Sequence, residues 1–458
     1  MTILVEGFEF DAIALARLLA REGNEVRLAS NDDEPKEGTD LRELGIRIEA
    51  NVNLDSDPGP AEIAYLDVWT PEIAPRAQRL RAQGTRVSCL GDLLLERWHG
   101  PTIGITGTAG KTATTSLTAA ILRAAGIDVA VSRGARAGNL WPTGDLLDRL
   151  QAEAPDSTVL LLELTSSHLA FMRSSPTIAA VISFWPDHLE LHGDLARYRA
   201  AKETIVRHQR AGDMVIVNAD DASANFVTLT PADPVAFSLR QRVNVGAYLD
   251  SARGIVVVEQ DGSETALGTI HESTPHPGNA VAAAAIASAA GANPEAIVAG
   301  IRASPTLPWR AQSVGTLAGI PVVDDGMAAT PLKTVALLSV YPDHSVVLIA
   351  GGRTDAGGGT VHATAEEHAL LERACDEIAR AVRIAVLFGD AGTRLVKFLD
   401  VRHVQTRVVR DLAAAVAVAE GHAAGAAAVV FSPLFPLSHE QRASFGELVC
   451  SRSRVPHP

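Results

Sequence analysis

The sequence predicts an α/β protein made of three successive units, each with a largely parallel sheet covered by helices. Short apolar strands alternate with helical stretches along the whole chain. A length of 458 residues also exceeds what one hydrophobic core supports. A Gly-rich turn at residues 106–112 joins a strand to a helix, as in nucleotide-binding α/β sheets. We place the domains at residues 1–95, 96–304 and 305–458.

The first unit opens with an apolar strand at residues 2–6, followed by helical spacing over residues 12–21. Further strands are predicted at residues 25–29 and 86–89. This alternation predicts a small parallel sheet covered by helices.

The second unit begins with a strand at residues 102–106 and a helix at residues 112–125, which ends before Gly126. The remaining elements predicted for this unit are strands at 158–163, 178–184 and 214–218, and helices at 279–290 and 294–302.

Residues 304–308 read SPTLP, a composition typical of a linker. The third unit follows it, and its helical stretches separate strands predicted at 320–324, 345–349, 384–388 and 427–431.

Composition excludes several classes of protein. A formal charge of −14 argues against nucleic acid or an anionic membrane as the main partner. No apolar stretch approaches the ~20 residues that span a bilayer, and the first residues lack a basic leader. Cys89, Cys375 and Cys450 lie too far apart in sequence for a disulfide framework or a metal motif. We expect a cytoplasmic monomer with small-molecule substrates.

The Gly-rich turn lies within residues 101–115, which read PTIGITGTAGKTATT. Such a turn directs backbone N–H groups at a phosphate, and the following helix adds its positive end. Lys111 would reach the outer phosphates, and the Thr112 hydroxyl would bind Mg²⁺. The strict pattern requires glycine where Ile105 stands, so an ordinary surface turn is the alternative. The strand before the turn and the helix after it favour a nucleoside triphosphate.

Two later strands also end in polar residues, at the edge where open α/β sheets bind ligands. Glu163 ends the run VLLLE and could bind a metal or position water; an exposed strand end is the alternative. His188 follows the next strand and could bind a metal or serve a structural role.

Lys202 lies in a predicted helix beside small residues, in the segment YRAAK. If the side chain is buried, desolvation lowers the pKa of its amine, and a neutral amine can take up CO₂ as a carbamate that binds metal. A solvent-exposed lysine is the alternative reading.

In chain order these segments resemble the Mur ligases, the ATP-dependent amide-forming enzymes of peptidoglycan precursor assembly. TGTAGKT is similar to the family's TGTNGKT, and ELTSSHL to its ELSSFQL. DHLELHG, YRAAK and VNADD also have counterparts, as do HPGNAVAA and LPWRAQ. At the C-terminal end, VVFSPLFPLSHEQRASF corresponds to LLSPACASxDQFxxF.

The resemblance implies a Rossmann-like first domain, a P-loop ATP-binding central domain and a Rossmann-like, amino-acid-binding third domain. It implies an ADP-forming ligase that activates a carboxylate as an acyl phosphate and joins it to an amino acid. The branch it points to adds D- or L-glutamate to UDP-N-acetylmuramoyl-L-alanine.

The family's functional positions map onto this sequence as follows. The implied ATP contacts are Gly107, Thr108, Ala109, Gly110, Lys111, Thr112, Asn279, Arg310 and Asp325. Two Mg²⁺ ions are implied, one held by Thr112 and Glu163, the other by His188 and a carbamate on Lys202; Lys111, Glu163, His188 and Lys202 form the catalytic set. Asn139 and Thr70 would face the acceptor, and Ser438 and Phe445 the incoming amino acid.

The sequence departs from the family pattern at both substrate sites. The Gly-rich loop that binds the uridine diphosphate end of the acceptor is replaced by residues 7–12, which include Glu9 and Asp11. A carboxylate about 4 Å from a phosphate costs about 1 kcal/mol even in bulk water. Met327 replaces a lysine that meets the glutamate carboxylate, a contact of about 1.5–3 kcal/mol, and Arg353 is a candidate replacement cation.

These departures leave two alternatives to glutamate ligation. One is a related ligase of specialised metabolism that uses a carboxylate without a UDP-muramoyl group. The other is a non-catalytic ATP-binding regulator, which the joint presence of Lys111, Thr112, Glu163, His188 and Lys202 disfavours.

Overall fold

The computed structural model describes residues 1–132, 139–152, 156–269, 276–353 and 365–452. The chain divides into two compact units, Met1–Ser304 and Pro305–Pro458. Parallel strands alternate with helices in both units, so the predicted α/β class is confirmed. The boundaries of the three domains stay a prediction.

The first unit begins with a parallel sheet in which the first strand of the chain is central. Its elements are β1 Thr2–Glu6, α1 Phe10–Arg21, β2 Glu25–Ala29, α2 Gly38–Glu43, β3 Arg47–Glu49, β4 Ile63–Tyr65, α3 Pro75–Ala82, β5 Arg86–Ser88 and α4 Leu90–Arg97. The strand order is β3-β2-β1-β4-β5. The carboxyl ends of β1 and β4 therefore meet at one edge, as ligand sites in such sheets require.

The second sheet of this unit carries the Gly-rich turn. Its elements are β6 Thr102–Thr106, α5 Lys111–Ala124, β7 Val129–Ala130, α6 Asp145–Gln151, β8 Val159–Glu163, α7 Ser166–Leu169, β9 Ile178–Val181, α8 Leu189–His192, α9 Leu195–Arg207, β10 Met214–Asn218, β11 Asp233–Ser238, β12 Gly246–Asp250, β13 Gly254–Val258, β14 Glu264–Gly268, α10 Pro277–Ala289 and α11 Pro294–Ala303. The order is β14-β13-β12-β11-β10-β9-β6-β8-β7. Because β6 lies between β8 and β9, the Gly-rich turn, Glu163 and the residues after Val181 share one edge.

Two features of this sheet differ from the prediction. The strand expected over residues 178–184 ends at Val181, because Ser183 instead bonds to the Gly-rich turn. Strands β12, β13 and β14 add antiparallel pairs at one end of the sheet.

The second unit contains the third sheet. Its elements are β15 Gln312–Leu317, β16 Ile320–Asp324, α12 Pro331–Leu338, β17 Val346–Gly351, α13 Ala365–Ala381, β18 Val382–Phe388, α14 Gly389–Asp400, β19 Thr406–Val409, α15 Leu412–His422, β20 Ala428–Leu434 and α16 His439–Cys450. The order is β15-β16-β20-β17-β18-β19, and β15 pairs antiparallel with β16. Here β16 and β20 end side by side, next to the start of α16.

Two of the three cysteines, Cys89 and Cys375, are buried, and Cys450 is half-buried. Cys89, Cys375 and Cys450 are free thiols. Within the described ranges, no helix is both long enough and apolar enough to cross a bilayer.

Candidate nucleotide and metal site

The Gly-rich turn, which we also call the phosphate turn, occupies residues 107–110, between the end of β6 and the start of α5. Gly110 has φ +83°, a conformation that costs a residue with a side chain about 1–2 kcal/mol. A Cβ at this position would also lie 2.6 Å from Asn279 Oδ1. Both the backbone angle and the approach of Asn279 therefore require glycine.

The turn is held in place by residues that follow β9. Ser183 O accepts a hydrogen bond from Thr108 N at 3.0 Å, and Ser183 Oγ accepts one from Ala109 N at 3.0 Å. The Thr108 hydroxyl bonds to Trp185 O at 3.1 Å and lies 2.9 Å from the hydroxyl of Tyr198. These contacts fix the turn before any ligand binds, which lowers the ordering cost of binding.

A cluster of oxygen atoms lies at the start of α5. Thr112 Oγ1 is 3.0 Å from Glu163 Oε1 and 3.1 Å from Asn139 Oδ1. Glu163 is fully buried, and its second oxygen accepts a hydrogen bond from Leu140 N at 2.8 Å. Hydroxyl, carboxylate and amide oxygens are the ligands that Mg²⁺ prefers, so these side chains fit a magnesium ion beside the turn. Asn139, predicted to face the acceptor, belongs to this cluster.

Lys202 is 1% exposed, and its amine donates hydrogen bonds to Gly107 O at 3.0 Å and Thr106 Oγ1 at 3.3 Å. Burial lowers the pKa of this amine well below its usual value, and the positive charge of Lys111 lowers it further, while Asp187 opposes the shift. A neutral amine beside the phosphate turn is the chemical state that carbamate formation requires. The surface-lysine alternative is therefore wrong, while the carbamate stays a prediction.

Lys111 and His188 flank Lys202. Lys111 folds over its own turn, with its amine 2.8 Å from Gly107 O. His188 adopts a left-handed conformation, φ 52°, and its side chain is about half exposed, with Nε2 3.6 Å from Asp187 Oδ2. Asp187 thus neighbours both predicted ligands of the second ion, although sequence reasoning passed over it. The DH pair in the motif was the available signal.

Asn279 completes this edge of the first unit. It lies in the first turn of α10, and its side-chain oxygen is 3.5 Å from the Thr114 hydroxyl as well as close to Gly110. The structure therefore brings together Lys111, Thr112, Asn139, Glu163, Lys202 and Asn279 around the turn.

In the second unit, Arg310 lies between two residues in the left-handed region, Trp309 at φ 58° and Ala311 at φ 50°. Asp325 stabilises this bend, because its carboxylate accepts hydrogen bonds from Ala311 N at 3.1 Å and from the Ser432 hydroxyl at 3.3 Å. Burial raises the pKa of Asp325 to about 7. Its carboxylate is thus engaged within the domain, and its contact with ATP stays a prediction.

The residues predicted to meet the amino acid lie near the carboxyl ends of β16 and β20. Ser438 caps α16 by accepting a hydrogen bond from Gln441 N at 3.1 Å. Phe445 is fully buried and stacks on Phe431 with ring centroids 4.3 Å apart. Met327 N donates to Trp309 O at 3.0 Å, and Arg353 N donates to Pro436 O at 3.2 Å. The roles of these four residues toward substrate stay predictions.

The edge of the first sheet is acidic. The Glu6 carboxylate accepts a hydrogen bond from Thr70 Oγ1 at 2.6 Å and pairs with Arg76 Nε at 2.6 Å, so the buried Thr70 hydroxyl is already engaged. Asp11 accepts one from Gly144 N at 2.7 Å, and burial raises its pKa. Burial also raises the pKa of Asp67 to about 6, and the negative charges of Glu6 and Asp11 add to the shift.

A cavity at this edge is lined by Glu6, Asp11, Asp67, Tyr65, His168 and Trp141, among others. Trp69 meets the Trp141 ring edge-on, with centroids 4.9 Å apart, and Trp69 is 55% exposed. Glu9 is exposed beside the start of α1. The cavity therefore combines aromatic walls with three carboxyl groups.

The sheets, the Gly-rich turn and the oxygen cluster fit a protein that binds a nucleoside triphosphate with Mg²⁺. Comparison with known proteins gives the class, an ATP-dependent ligase. The family described as the Mur ligase middle domain matches residues 105–291. A UDP-N-acetylmuramoylalanine–D-glutamate ligase of Frankia casuarinae is 36% identical over 365 residues, which cover 77% of this chain and 74% of the relative. The chain belongs to the Mur ligase family. An enzyme of the same name from Geobacter metallireducens is 27% identical and covers 94% of this chain and 92% of the relative.

Solved structures agree on the fold. A pseudomurein peptide ligase type C from Methanothermus fervidus superposes with a TM-score of 0.60 at 16% identity, covering 98% of this chain and 99% of that one. UDP-N-acetylmuramate-alanine ligase MurC from Thermotoga maritima gives 0.58 at 20% identity, with 98% and 99% covered. At these identities the likeness establishes the three-domain Mur ligase architecture and no substrate.

Proposed function

We propose that this protein is the ADP-forming ligase that joins glutamate to UDP-N-acetylmuramoyl-L-alanine in peptidoglycan precursor synthesis. The observation that carries the proposal is the convergence of Thr112, Glu163 and Asn139 beside the phosphate turn. The names of the relatives, which add D-glutamate, supply the substrates.

In the first half of the reaction, an oxygen of the acceptor carboxylate attacks the γ-phosphorus of ATP and ADP leaves. The product is an acyl phosphate. Lys111 and the backbone N–H groups of the turn would hold the phosphates, and Thr112 and Glu163 would hold Mg²⁺, which would supply positive charge to neutralise the phosphates. The buried position of Glu163 keeps its carboxylate ordered for this task.

In the second half, the amine of glutamate attacks the acyl carbon, phosphate leaves and the nitrogen loses a proton. A carbamate on Lys202, together with His188, would hold a second Mg²⁺ near the reacting groups. Support for the carbamate comes from the lowered pKa of Lys202 and from its place against Gly107. Carbamylation would convert a buried cation into an anionic ligand.

The direct test incubates the protein with ATP, Mg²⁺ and UDP-N-acetylmuramoyl-L-alanine, offering each enantiomer of glutamate separately. We expect ADP, phosphate and a product heavier by one glutamyl residue, detected by mass spectrometry. Hydroxylamine added in place of glutamate should trap the acyl phosphate as a hydroxamate. Phosphate release without a glutamyl product, with either enantiomer, would contradict the proposal.

A second candidate function is ligation of an amino acid to a carboxylate that carries no nucleotide. The observation that favours it is the acidic cavity, where Glu6, Asp11 and Asp67 occupy the edge of the first sheet. Carboxylates at this edge repel a pyrophosphate.

Competition by free UDP separates the two functions. If the acceptor carries UDP at this edge, UDP should inhibit ligation competitively with the acceptor, and Asp11→Asn should tighten inhibition. If UDP does not inhibit while other carboxylic acids are ligated, the second function is supported.

A further inference from the structure

Arg442 lies in the first half of α16, beside the loop that follows β16. A Cβ added at Gly326 would lie 3.2 Å from Arg442 Cγ, so the stem of the arginine packs on the residue just before Met327. Its guanidinium carbon lies 5.9 Å from the centre of the Trp309 ring. Because Met327 N also bonds to Trp309 O, Arg442 and Met327 border the same small region.

The guanidinium group of Arg442 is poorly satisfied for a half-buried cation. Across the part of the chain that the structure describes, it makes no ion pair and no hydrogen bond, and its Nε is buried. Burial lowers the pKa of Arg442, and the charge of Asp324 only partly opposes this effect. A partly desolvated cation with vacant donors is suited to a ligand anion that completes its hydrogen bonds.

Asp324 does not fill this role. Its Oδ1 accepts a hydrogen bond from Gly326 N at 2.9 Å, and burial raises its pKa to about 6. The carboxylate therefore accepts a hydrogen bond from the main chain of the loop. Its negative charge raises the pKa of Arg442 through space.

The sequence around Arg442 carries a complementary signal. The resemblance to the Mur ligase motifs implies that Arg442 stands at the phenylalanine of SxDQFxxF and that Met327 stands at a lysine position. One position has gained a cation and its neighbour across the region has lost one. The Gly326 contact brings the two changes together.

We propose that Arg442 binds a carboxylate of the incoming amino acid, in place of the lysine that Met327 replaces. The assignment rests on the proposed function, since it concerns the amino-acid site of that reaction. Guanidinium presents two parallel N–H groups to a carboxylate, a stronger and more directional match than a single ammonium. The Trp309 face supports the planar group from one side.

The experiment measures steady-state kinetics of Arg442→Gln, Arg442→Lys and the control Arg452→Gln, whose residue pairs with Glu420 on the surface. For Arg442→Gln we expect the amino-acid KM to rise about 10- to 100-fold, while KM for ATP and for the acceptor change less than about twofold. Arg442→Lys should keep part of the affinity. Arg452→Gln should match the wild type, and thermal unfolding checks that every variant folds.

A second test asks whether a cation at residue 327 restores the amino-acid affinity that Arg442→Gln loses. Introducing Met327→Lys into Arg442→Gln should lower the amino-acid KM again, because it moves the cation back across the region. An unchanged amino-acid KM in Arg442→Gln overturns the assignment even if wild type makes the glutamyl product. If wild type instead joins another amino acid, glutamate ligation fails, yet the same KM rise for that amino acid supports Arg442. No ligation of any amino acid overturns both.

Discussion

At the scale of single residues, Lys202 combines full burial with an amine against the main chain of the phosphate turn. Burial is the main cause of the lowered pKa of Lys202, and the positive charge of Lys111 beside the amine lowers this pKa further. A carbamate removes this repulsion by reversing the sign of the charge. The side chain would then bind a metal ion and no longer compete with it.

We therefore predict that Lys202→Ala lowers the rate of ADP formation about 100-fold or more, since an aligned charge near the transition state is lost. Short carboxylic acids such as acetate should restore part of the activity by occupying the vacated space. The measurement is ADP release with and without acetate, and Lys397→Ala on α14 serves as a matched control. Full activity in Lys202→Ala would remove the carbamate from the mechanism.

Single residues also show which parts of the site could be predicted from the sequence. Lys111, Thr112 and Glu163 were predictable because each ends or follows an apolar strand in a recognisable motif. Ser183 and Tyr198 were not, because their contacts with the turn join segments about 75 to 90 residues apart. Asp187 was overlooked, although it directly precedes His188 in the motif. Arg442 was hidden for the same reason as Ser183, since only packing on Gly326 connects it to Met327.

At the scale of elements, the phosphate turn depends on α10 as well as on its own strand and helix. The first turn of α10 places Asn279 where a side chain on Gly110 would lie. Residues 280–287 are all buried, so this helix has little freedom to withdraw. The approach of two elements therefore fixes the shape of the turn.

For Gly110→Ala we expect the KM for ATP to rise at least about tenfold, because both the positive φ and the Asn279 contact oppose a Cβ. Adding Asn279→Ala removes the nearest steric contact but leaves the backbone cost and Ile182 Cδ1 at 3.2 Å, so no full recovery should follow. ATP binding by titration calorimetry checks both variants against Gly126→Ala, whose added Cβ would meet no neighbouring atom within 4 Å. An unchanged ATP affinity in Gly110→Ala would mean that the turn rearranges freely.

The strands differ in how well their bounds can be predicted from the sequence. The bounds of β1, β2, β6, β10 and β16 agree with the prediction, because each is an apolar run closed by a polar or turn residue. The strand β15 was missed, since its residues are mostly half-exposed and a bulge between Ser313 and Gly315 interrupts the alternation. Antiparallel edges of this kind take their stability from pairing, which a single strand's sequence does not display.

At the scale of the whole molecule, buried carboxyl groups couple stability to pH. Burial raises the pKa of Asp67 and Asp324 to about 6 and that of Asp325 to about 7. Between pH 4 and pH 7 the folded protein thus holds protons that the unfolded chain releases. The contribution of these three groups to stability therefore falls as pH rises through this window, contrary to the usual behaviour of paired aspartates. The lowered pKa of Lys202 contributes in the opposite direction.

We predict that these three carboxyl groups lower the thermal midpoint of the full chain as pH rises from 5 to 8. Asp325→Asn should flatten part of this slope, because its amide oxygen can still accept the hydrogen bond from Ala311 N without a charge. Calorimetric scans across the pH range provide the measurement. If Asp325→Asn leaves the slope of the thermal midpoint against pH unchanged, groups other than Asp325 cause the pH dependence.

The edge-to-face pair of Trp69 and Trp141 gives the protein an intrinsic optical reporter. Trp141 lines the acidic cavity, whereas more than half of Trp69 faces solvent, so the two indoles sense different polarity. A molecule entering the cavity would displace water from the Trp141 ring and would change the edge-to-face contact between Trp141 and Trp69. Acceptor loading should accordingly shift the emission spectrum without any attached dye, and the fluorescence titration would follow binding separately from turnover.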